Sequence, residues 1–188
     1  MAELKGSKTE TNLMAAFAGE SQARNRYTYS ASAAKKEGLE VVARTFLEIA
    51  DQEKEHAKRL FSFMKGGEIS ITATFPAGPV GTALENLKAA AGGENHEHTS
   101  MYPGFANIAD EEGFPAIASL FRYIATAEVE HENRYRKLIA LLEKDEMFKR
   151  AKAVKWRCLN CGYTHEGTEA PAACPTCAHP RAYFQALD

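Results

Sequence analysis

Glu53 and His56 stand three positions apart, and Glu128 and His131 repeat that spacing in the second half of the chain. Residues three apart on a helix share one face, so each pair can offer a carboxylate and an imidazole to one ion. Two lone acids, Glu20 and Glu94, extend the pattern at an offset one position shorter, and Tyr27 and Tyr102 follow them at the same offset as the paired motifs. The chain reads as a duplicated helix pair, each half supplying one Glu and one Glu-x-x-His. Four carboxylates buried in a bundle without cations would cost several kcal/mol per ion, and a pair of metal ions removes that cost. Carboxylates bridge and imidazoles leave room for an exogenous oxygen species, which suits iron or manganese better than zinc. In this reading Glu53 and Glu128 bridge, Glu20 and His56 serve one metal, and Glu94 and His131 serve the other.

Charge counting brings in Glu97. Four carboxylates match two ferrous ions, whereas two ferric ions carry more charge, so Glu97, one turn from Glu94, is expected to ligate in the oxidised state. His98 sits nearly as well on the same face and competes for this place, while His96 points to solvent. The Tyr27 and Tyr102 hydroxyls are expected beside the carboxylates as hydrogen-bond donors. Glu55 and Glu130 lie two positions from the ligating acids and read as surface groups.

All four cysteines fall at the end of the chain, as Cys158-x2-Cys161 and Cys174-x2-Cys177 with twelve residues between the pairs. Two such pairs make a tetrahedral metal site, and so short a module cannot fold on its own core, so metal binding and folding are coupled there. Trp156, Tyr163, Tyr183 and Phe184 are its expected packing, with His165 and His179 peripheral because four thiolates already fill a tetrahedron. Spacing alone does not separate zinc, which would make a structural or docking module, from iron, which passes one electron.

Helices must position the first set. Ser7 to Glu10 is a capping box, with Glu10 reaching back towards the first free amides, and opens a stripe of Leu13, Ala16, Phe17, Glu20, Ala23, Tyr27, Ala31 and Ala34 that ends before Gly38. Leu39, Val42, Phe46, Ile49, Glu53, His56, Leu60 and Phe63 form a second stripe, ended by Gly66 and Gly67. The short connection makes these helices antiparallel. An extended, Pro- and Gly-rich crossing from Glu68 to Gly81 lets the next helix run parallel to the last. A second capping box, Thr82 to Glu85, opens the stripe Leu84, Leu87, Ala91, Glu94, Met101, Phe105 and Ile108, which Pro103-Gly104 should kink or break just past the acids. After Gly113-Phe114-Pro115 come Ile117, Phe121, Ile124, Glu128, His131, Tyr135, Leu138 and Leu142. A charged tail past Leu142 reads as helix end and linker, and the terminal module opens near Val154.

The fold class is therefore an all-α four-helix bundle, residues 1–148, followed by a linker and small metal-binding domain, residues 149–188. The net charge of −2 and the absence of a dominant basic patch speak against a nucleic-acid or membrane partner, and no run approaches the length of a membrane span. The amino terminus has no apolar stretch typical of a secretion signal, and the chain reads as cytoplasmic.

These motifs, over almost the whole sequence, resemble the rubrerythrins, in which a ferritin-like di-iron domain is fused to a rubredoxin-like one. The donor set in the bundle is that of ferritin-like di-iron carboxylate proteins. The resemblance puts two irons on Glu20, Glu53, His56, Glu94, Glu97, Glu128 and His131, and one iron on Cys158, Cys161, Cys174 and Cys177, with no haem and no bound NAD. It implies that Glu97 and His56 exchange on one iron with redox state. It implies a cytoplasmic peroxidase of oxidative-stress defence that reduces hydrogen peroxide to water, with electrons from NADH through a separate reductase or rubredoxin. It also implies a head-to-tail homodimer in which the four-cysteine iron faces the partner's di-iron site. A ferroxidase or iron-storage protein and a zinc-binding interaction module are the alternatives. Against free-standing rubredoxins the terminal module is shorter between its cysteine pairs, and Ala178-His179-Pro180 follows Cys177 where glycine is usual.

Overall fold

The computed structural model describes residues 3–187. Helices α1 (Lys8–Lys36), α2 (Glu40–Phe61), α3 (Ala83–His96), α4 (Tyr102–Glu111) and α5 (Pro115–Glu143) build the bundle, and a π-helical turn, Glu97–Met101, joins α3 to α4. α1 packs most extensively on α2, and α3 and α4 on α5, so the duplicated pairs are also the packing units. The capping box at Thr82 forms, its hydroxyl accepting from the Glu85 amide at 3.3 Å and the Glu85 carboxylate from the Thr82 amide at 2.8 Å, whereas at Ser7 only half of the box forms, the hydroxyl accepting from the Glu10 amide at 3.0 Å. Glu10 reaches one residue further back than the box requires, accepting from the Gly6 amide at 2.7 Å.

The halves repeat each other in detail. Gly38 and Gly113, equivalent under the duplication, turn the chain at φ +73° and +83°, a region glycine enters without penalty. Leu39 and Phe114 follow with nearly the same backbone angles, φ −112° and −111°. The turn acids then cap the opposite half. Glu37 accepts from the Ala83 amide at 2.8 Å, and Glu112 accepts from the Lys8 and Thr9 amides at 3.1 and 2.8 Å, so each half neutralises the other's helix N-terminus.

One irregularity separates them. The stripe through Met101, Phe105 and Ile108 is not the one that faces inward; Tyr102, Ala106 and Ala109 are fully buried instead. The π turn is the cause. The Tyr102 amide donates to the Glu97 carbonyl five residues back, which inserts one residue into the helix and rotates everything after it. This absorbs the mismatch between the offset of Glu20 and Glu94 and the offset, one position longer, of Tyr27 and Tyr102. Pro103, expected to kink or break the helix, follows the widened turn and leaves α4 intact. α2 ends at Phe61, so Phe63 lies past the helix.

Apolar residues fill the bundle in two clusters, one around Tyr27, Phe46, Ile49, Leu87 and Tyr135 and the other around Leu13, Leu60, Tyr102, Phe121 and Ile124. Glu20, Glu53, Glu94 and Glu128 form a polar layer between them, since each sits on its helix between a residue of one cluster and a residue of the other.

The terminal domain is a three-stranded antiparallel sheet in the order β2 (Thr164–Glu169), β1 (Lys149–Cys158), β3 (Phe184–Ala186). Trp156 and Phe184 are its buried aromatics, with Tyr163 and Tyr183 packed at the edge. The segment read as a linker is docked: Met147 is buried in the bundle core and Phe148 packs on both cores. β1 begins at Lys149, ahead of the Val154 start expected for the module. The Arg44 guanidinium of α2 donates to the Leu159 carbonyl at 3.2 Å and lies 5.9 Å from the Tyr183 ring. None of the helices among the described residues is long and apolar enough to cross a membrane.

Candidate metal centres

Two constellations meet in the polar layer: Glu20, Glu53, His56 and Glu128, and Glu53, Glu94, Glu128 and His131, the ligand atoms of each within 4.8 Å of one another. His56 Nδ1 lies 3.0 Å from Glu53 Oε2, 3.0 Å from Glu128 Oε1 and 3.7 Å from Glu20 Oε2. His131 Nδ1 lies 2.6 Å from Glu128 Oε2, 3.1 Å from Glu53 Oε1 and 3.7 Å from Glu94 Oε2. Glu53 and Glu128 each turn one oxygen to each histidine, the geometry of bridging carboxylates. Glu20 and Glu94 each serve one side.

Of these approaches only that of His56 Nδ1 to Glu53 Oε2 is aligned as a hydrogen bond. Glu53 Oε1, Glu94 Oε2, both Glu128 oxygens and His131 Nδ1 are buried without an aligned partner. These atoms converge on common points between the helices, within 4.8 Å of one another in each constellation. Burial opposes a charge on the imidazoles, yet the carboxylates of Glu128, Glu53 and Glu94 outweigh it and push His131 up to about 12; His56 moves the same way. Burial first, and then the charge on Glu53, pushes Glu20 up to about 8. Even two imidazolium ions leave the four carboxylates in excess, so the donor set fits two divalent cations and is poorly satisfied without them.

The tyrosines cross between halves: Tyr27 donates to Glu94 Oε1, and Tyr102 to Glu20 Oε1. Burial raises both hydroxyls well above their ordinary range, so they remain donors. Glu97 is half-buried at the start of the π turn and outside both constellations, and its carboxylate has no hydrogen bond or ion pair among the described residues. Burial, then Glu20, then Glu94 raise its carboxyl above the ordinary range. His98 does not compete for that place, because its Nε2 bonds Glu132 Oε2 at 2.6 Å. Asn95 and Arg136 donate to the same Glu132 carboxylate. His96, Glu55 and Glu130 are exposed.

Sequence reasoning misses Gln52: His131 Nε2 donates to its Oε1 at 3.1 Å, which would leave Nδ1 free to ligate once a metal ion displaces its proton. An amide beside the Glu-x-x-His motif carries no period or charge that would single it out. It also misses Tyr135 as a polar group; the buried hydroxyl has no partner among the described residues, and its ring lies 5.6 Å from that of Tyr27.

In the terminal domain the four sulfurs lie within 4.8 Å of one another, with Cys158 to Cys177 at 3.7 Å and Cys161 to Cys174 at 3.6 Å. Sulfurs bound at about 2.3 Å to a tetrahedral metal stand about 3.8 Å apart, whereas a disulfide would need about 2.05 Å. The cysteines are thiols or thiolates arranged for a metal. Two like turns supply them. Gly162 at φ +81° donates to the Cys158 carbonyl, and Ala178 at φ +59° to the Cys174 carbonyl. The His179 amide, directed at the Cys177 sulfur, leads the interactions that lower that thiol to about 6. Cys158 and Cys174 are buried while Cys161 is exposed, so one corner of the tetrahedron faces solvent. His165 and His179 are partly buried and outside the cluster.

The rubrerythrin family model matches residues 11–139, and the model of the rubrerythrin rubredoxin-like domain matches residues 156–185. A rubrerythrin of Porphyromonas gingivalis is 58% identical over 184 residues, covering 98% of this chain and 92% of the relative. A rubrerythrin of Nitratidesulfovibrio vulgaris is 54% identical over 187 residues, covering 100% of this chain and 98% of the relative. Among solved structures, nigerythrin in its fully reduced, all-ferrous state matches with a TM-score of 0.63 at 33% identity, over 97% of this chain and 87% of that one. Carrying both the carboxylate–histidine residues of a di-iron site and the four cysteines of a rubredoxin-like site, the chain belongs to the rubrerythrin family.

Proposed function

We propose that this protein is a cytoplasmic peroxidase of oxidative-stress defence that reduces hydrogen peroxide to water. Electrons reach it from NADH through a separate reductase or rubredoxin and enter at the four-cysteine iron. The observation that carries this reading is the pairing, on one chain, of a buried two-metal cradle with a four-thiolate site exposed at one corner. Storage of iron has no use for such an electron entrance.

Glu20, Glu53, His56, Glu94, Glu128 and His131 would hold a ferrous pair, which would supply the two electrons needed to cleave the peroxide O–O bond. The chain's own groups orient and insulate that chemistry. Glu53 and Glu128 hold two sites at a fixed separation, and the Tyr27 and Tyr102 hydroxyls fix the terminal carboxylates of Glu94 and Glu20. Glu97, unpartnered and raised in the metal-free cradle, can hold a proton at its carboxyl. With iron held in the cradle, Glu97 and His56 would be the pair that exchanges as a ligand on oxidation. The apolar clusters on either side exclude water from the layer.

The active form is a head-to-tail dimer. Within one chain the Cys158–Cys161 turn touches α2 at Arg44, nine residues or about 13.5 Å along the helix from Glu53. The test is peroxide consumption under NADH and a reductase by iron-loaded Cys161→Ser protein. It should be oxidised by one equivalent of peroxide and then stall; turnover at the unsubstituted rate would contradict the relay.

A further inference from the structure

The stripe of Met101, Phe105 and Ile108 is apolar and complete, so a regular helix through this segment would have a face ready to bury. The protein instead widens one turn and buries Tyr102, Ala106 and Ala109. Such π turns are rare inside helices and occur mostly at functional sites, so this one needs a cause. One carboxylate is placed to supply it. Glu132 of α5, only 7% exposed, accepts from Asn95 Nδ2 near the end of α3 at 3.1 Å, from His98 Nε2 within the turn at 2.6 Å, and from Arg136 Nε at 2.5 Å. The Thr99 hydroxyl adds a tie inside the turn, donating to the Asn95 carbonyl at 2.6 Å.

The first half has neither a π turn nor such a carboxylate among the described residues. At the offset of His56 to His131, Glu132 corresponds to Ala57, and at the offset of Glu20 to Glu94, Asn95 corresponds to Ser21. Ser21, Arg24 and Ala57 line an open cleft of about 470 Å³ between α1 and α2, whereas the equivalent place in the second half holds Asn95 and Glu132. Tyr27 follows Glu20 by seven residues on an unbroken helix, and Tyr102 follows Glu94 by eight. Tyr102 reaches Glu20 because the turn takes up the extra residue.

We propose that Glu132 is a positioning residue for the metal layer: by clamping Asn95 and His98 to α5 it holds the π turn, and through the turn the inward register that lets the Tyr102 hydroxyl reach Glu20. Pro103 is the competing hold, since proline collides with the carbonyl four residues back in a regular helix. It stands at the start of α4, however, where its missing amide costs little, and it supplies no bond to the widened turn. Glu132 bonds the chain on both sides of the turn's opening. The clamp acts whichever substrate the metals meet.

The test uses the full-length, iron-loaded protein and the variants Glu132→Ala, Glu132→Gln, Pro103→Thr and Tyr102→Phe; alanine and threonine are what the first half carries at the equivalent positions, Ala57 and Thr28. Amide exchange over residues 97–106, read against α1, reports the turn, and competition with a ferrous chelator reports the metal layer. Glu132→Ala should speed exchange in this segment about tenfold or more, and in crystals turn Met101 inward in place of Tyr102. It should also weaken ferrous binding about tenfold. Glu132→Gln, whose amide oxygen still accepts from Asn95 and His98, should keep much of the protection. Pro103→Thr should leave both turn and affinity unchanged. Tyr102→Phe should lose the same ferrous affinity without faster exchange, and Glu132→Ala combined with Tyr102→Phe should lose no more than Tyr102→Phe alone.

An intact π turn with unchanged exchange in Glu132→Ala would overturn the clamp, as would a turn lost in Pro103→Thr. Losses of ferrous affinity that add in the double variant would overturn the route through Tyr102. Where Glu132→Ala is too unstable to purify, His98→Ala removes the tie within the turn alone and should accelerate exchange over the same residues; no acceleration there contradicts the clamp equally.

Discussion

The first half of the bundle, α1 and α2, and the second, α3 to α5, repeat each other from capping box to metal motif and part company at a few positions. Ser7 matches Thr82, Glu37 matches Glu112, Gly38 matches Gly113, and Glu53 and His56 match Glu128 and His131, all at one common offset. Between Glu94 and Tyr102 the second half carries one extra residue, housed in the π turn. At the shorter offset that relates Glu20 to Glu94, Glu97 stands where the first half has Ala23. Ala23 is buried among apolar neighbours, whereas Glu97 adds a fifth carboxylate at the edge of the layer. Gln52 against Ala127 is another break. Symmetry builds a cradle for two equivalent ions, and the breaks make their surroundings unequal.

The matched positions should fail alike and with the largest effect. Glu53→Ala and Glu128→Ala each remove oxygens facing both centres, so either should reduce bound iron in the bundle from two ions towards none, by metal analysis, while helix content persists. A variant that keeps one ion would show that its carboxylate does not bridge.

Metal removal comes next and has a pH signature. In the metal-free cradle Glu20 is raised to about 8 and His131 to about 12, so the folded state holds protons that the unfolded chain has already released. Stability is then full below the unfolded carboxyl value and falls as pH rises, first as unfolded Glu20 ionises and further above the ordinary histidine range. Chelated protein should therefore lose thermal stability steadily from about pH 5 to pH 8, and iron-loaded protein should not, because the metals replace those protons. A metal-free Tm that rises over this interval contradicts the proposed cradle.

Glu97→Ala should make the second half resemble the first. Peroxide turnover is expected to fall about tenfold while binding of two ferrous ions largely survives; unchanged turnover removes Glu97 from the mechanism. The crossed caps predict a smaller, paired effect. Glu37→Ala and Glu112→Ala should each lower stability by about 1 kcal/mol or less, solvent screening included, as read by denaturant titration. The smallest effect belongs to the terminal domain, which repeats the theme of two unequal halves. Ala178→Gly places at the second cysteine turn the residue that Gly162 supplies at the first, and should stabilise the domain by about 0.5 kcal/mol, since relief of about 1 kcal/mol of strain is partly offset by a freer unfolded chain.

The metal-layer residues were legible because a carboxylate on an apolar stripe has no cheap explanation, and because the pattern occurs twice. Both cysteine pairs were legible for the same reason of repeated, costly residues. What escaped depends on distance across the fold. Glu37 and Glu112 are ordinary turn acids until the other half's helix end arrives beside them. Gln52 and the His98–Glu132 bond need two helices in register, and His98, which helical spacing alone would have aimed at the metals, is turned aside by a buried anion on α5. The π turn did leave a trace, the unequal spacings of Glu20–Glu94 and Tyr27–Tyr102, but a one-residue mismatch acquires meaning only when both ends are seen to face inward. Met147 and Phe148 sit in a charged tail whose average composition hides two anchoring residues.

The most direct test of the account is to reduce both iron centres anaerobically, mix the protein with stoichiometric peroxide, and follow the two chromophores in time. Oxidation of the buried pair followed by reoxidation of the four-cysteine iron is the expected sequence. A four-cysteine centre that stays reduced throughout, or that contains zinc, would contradict it.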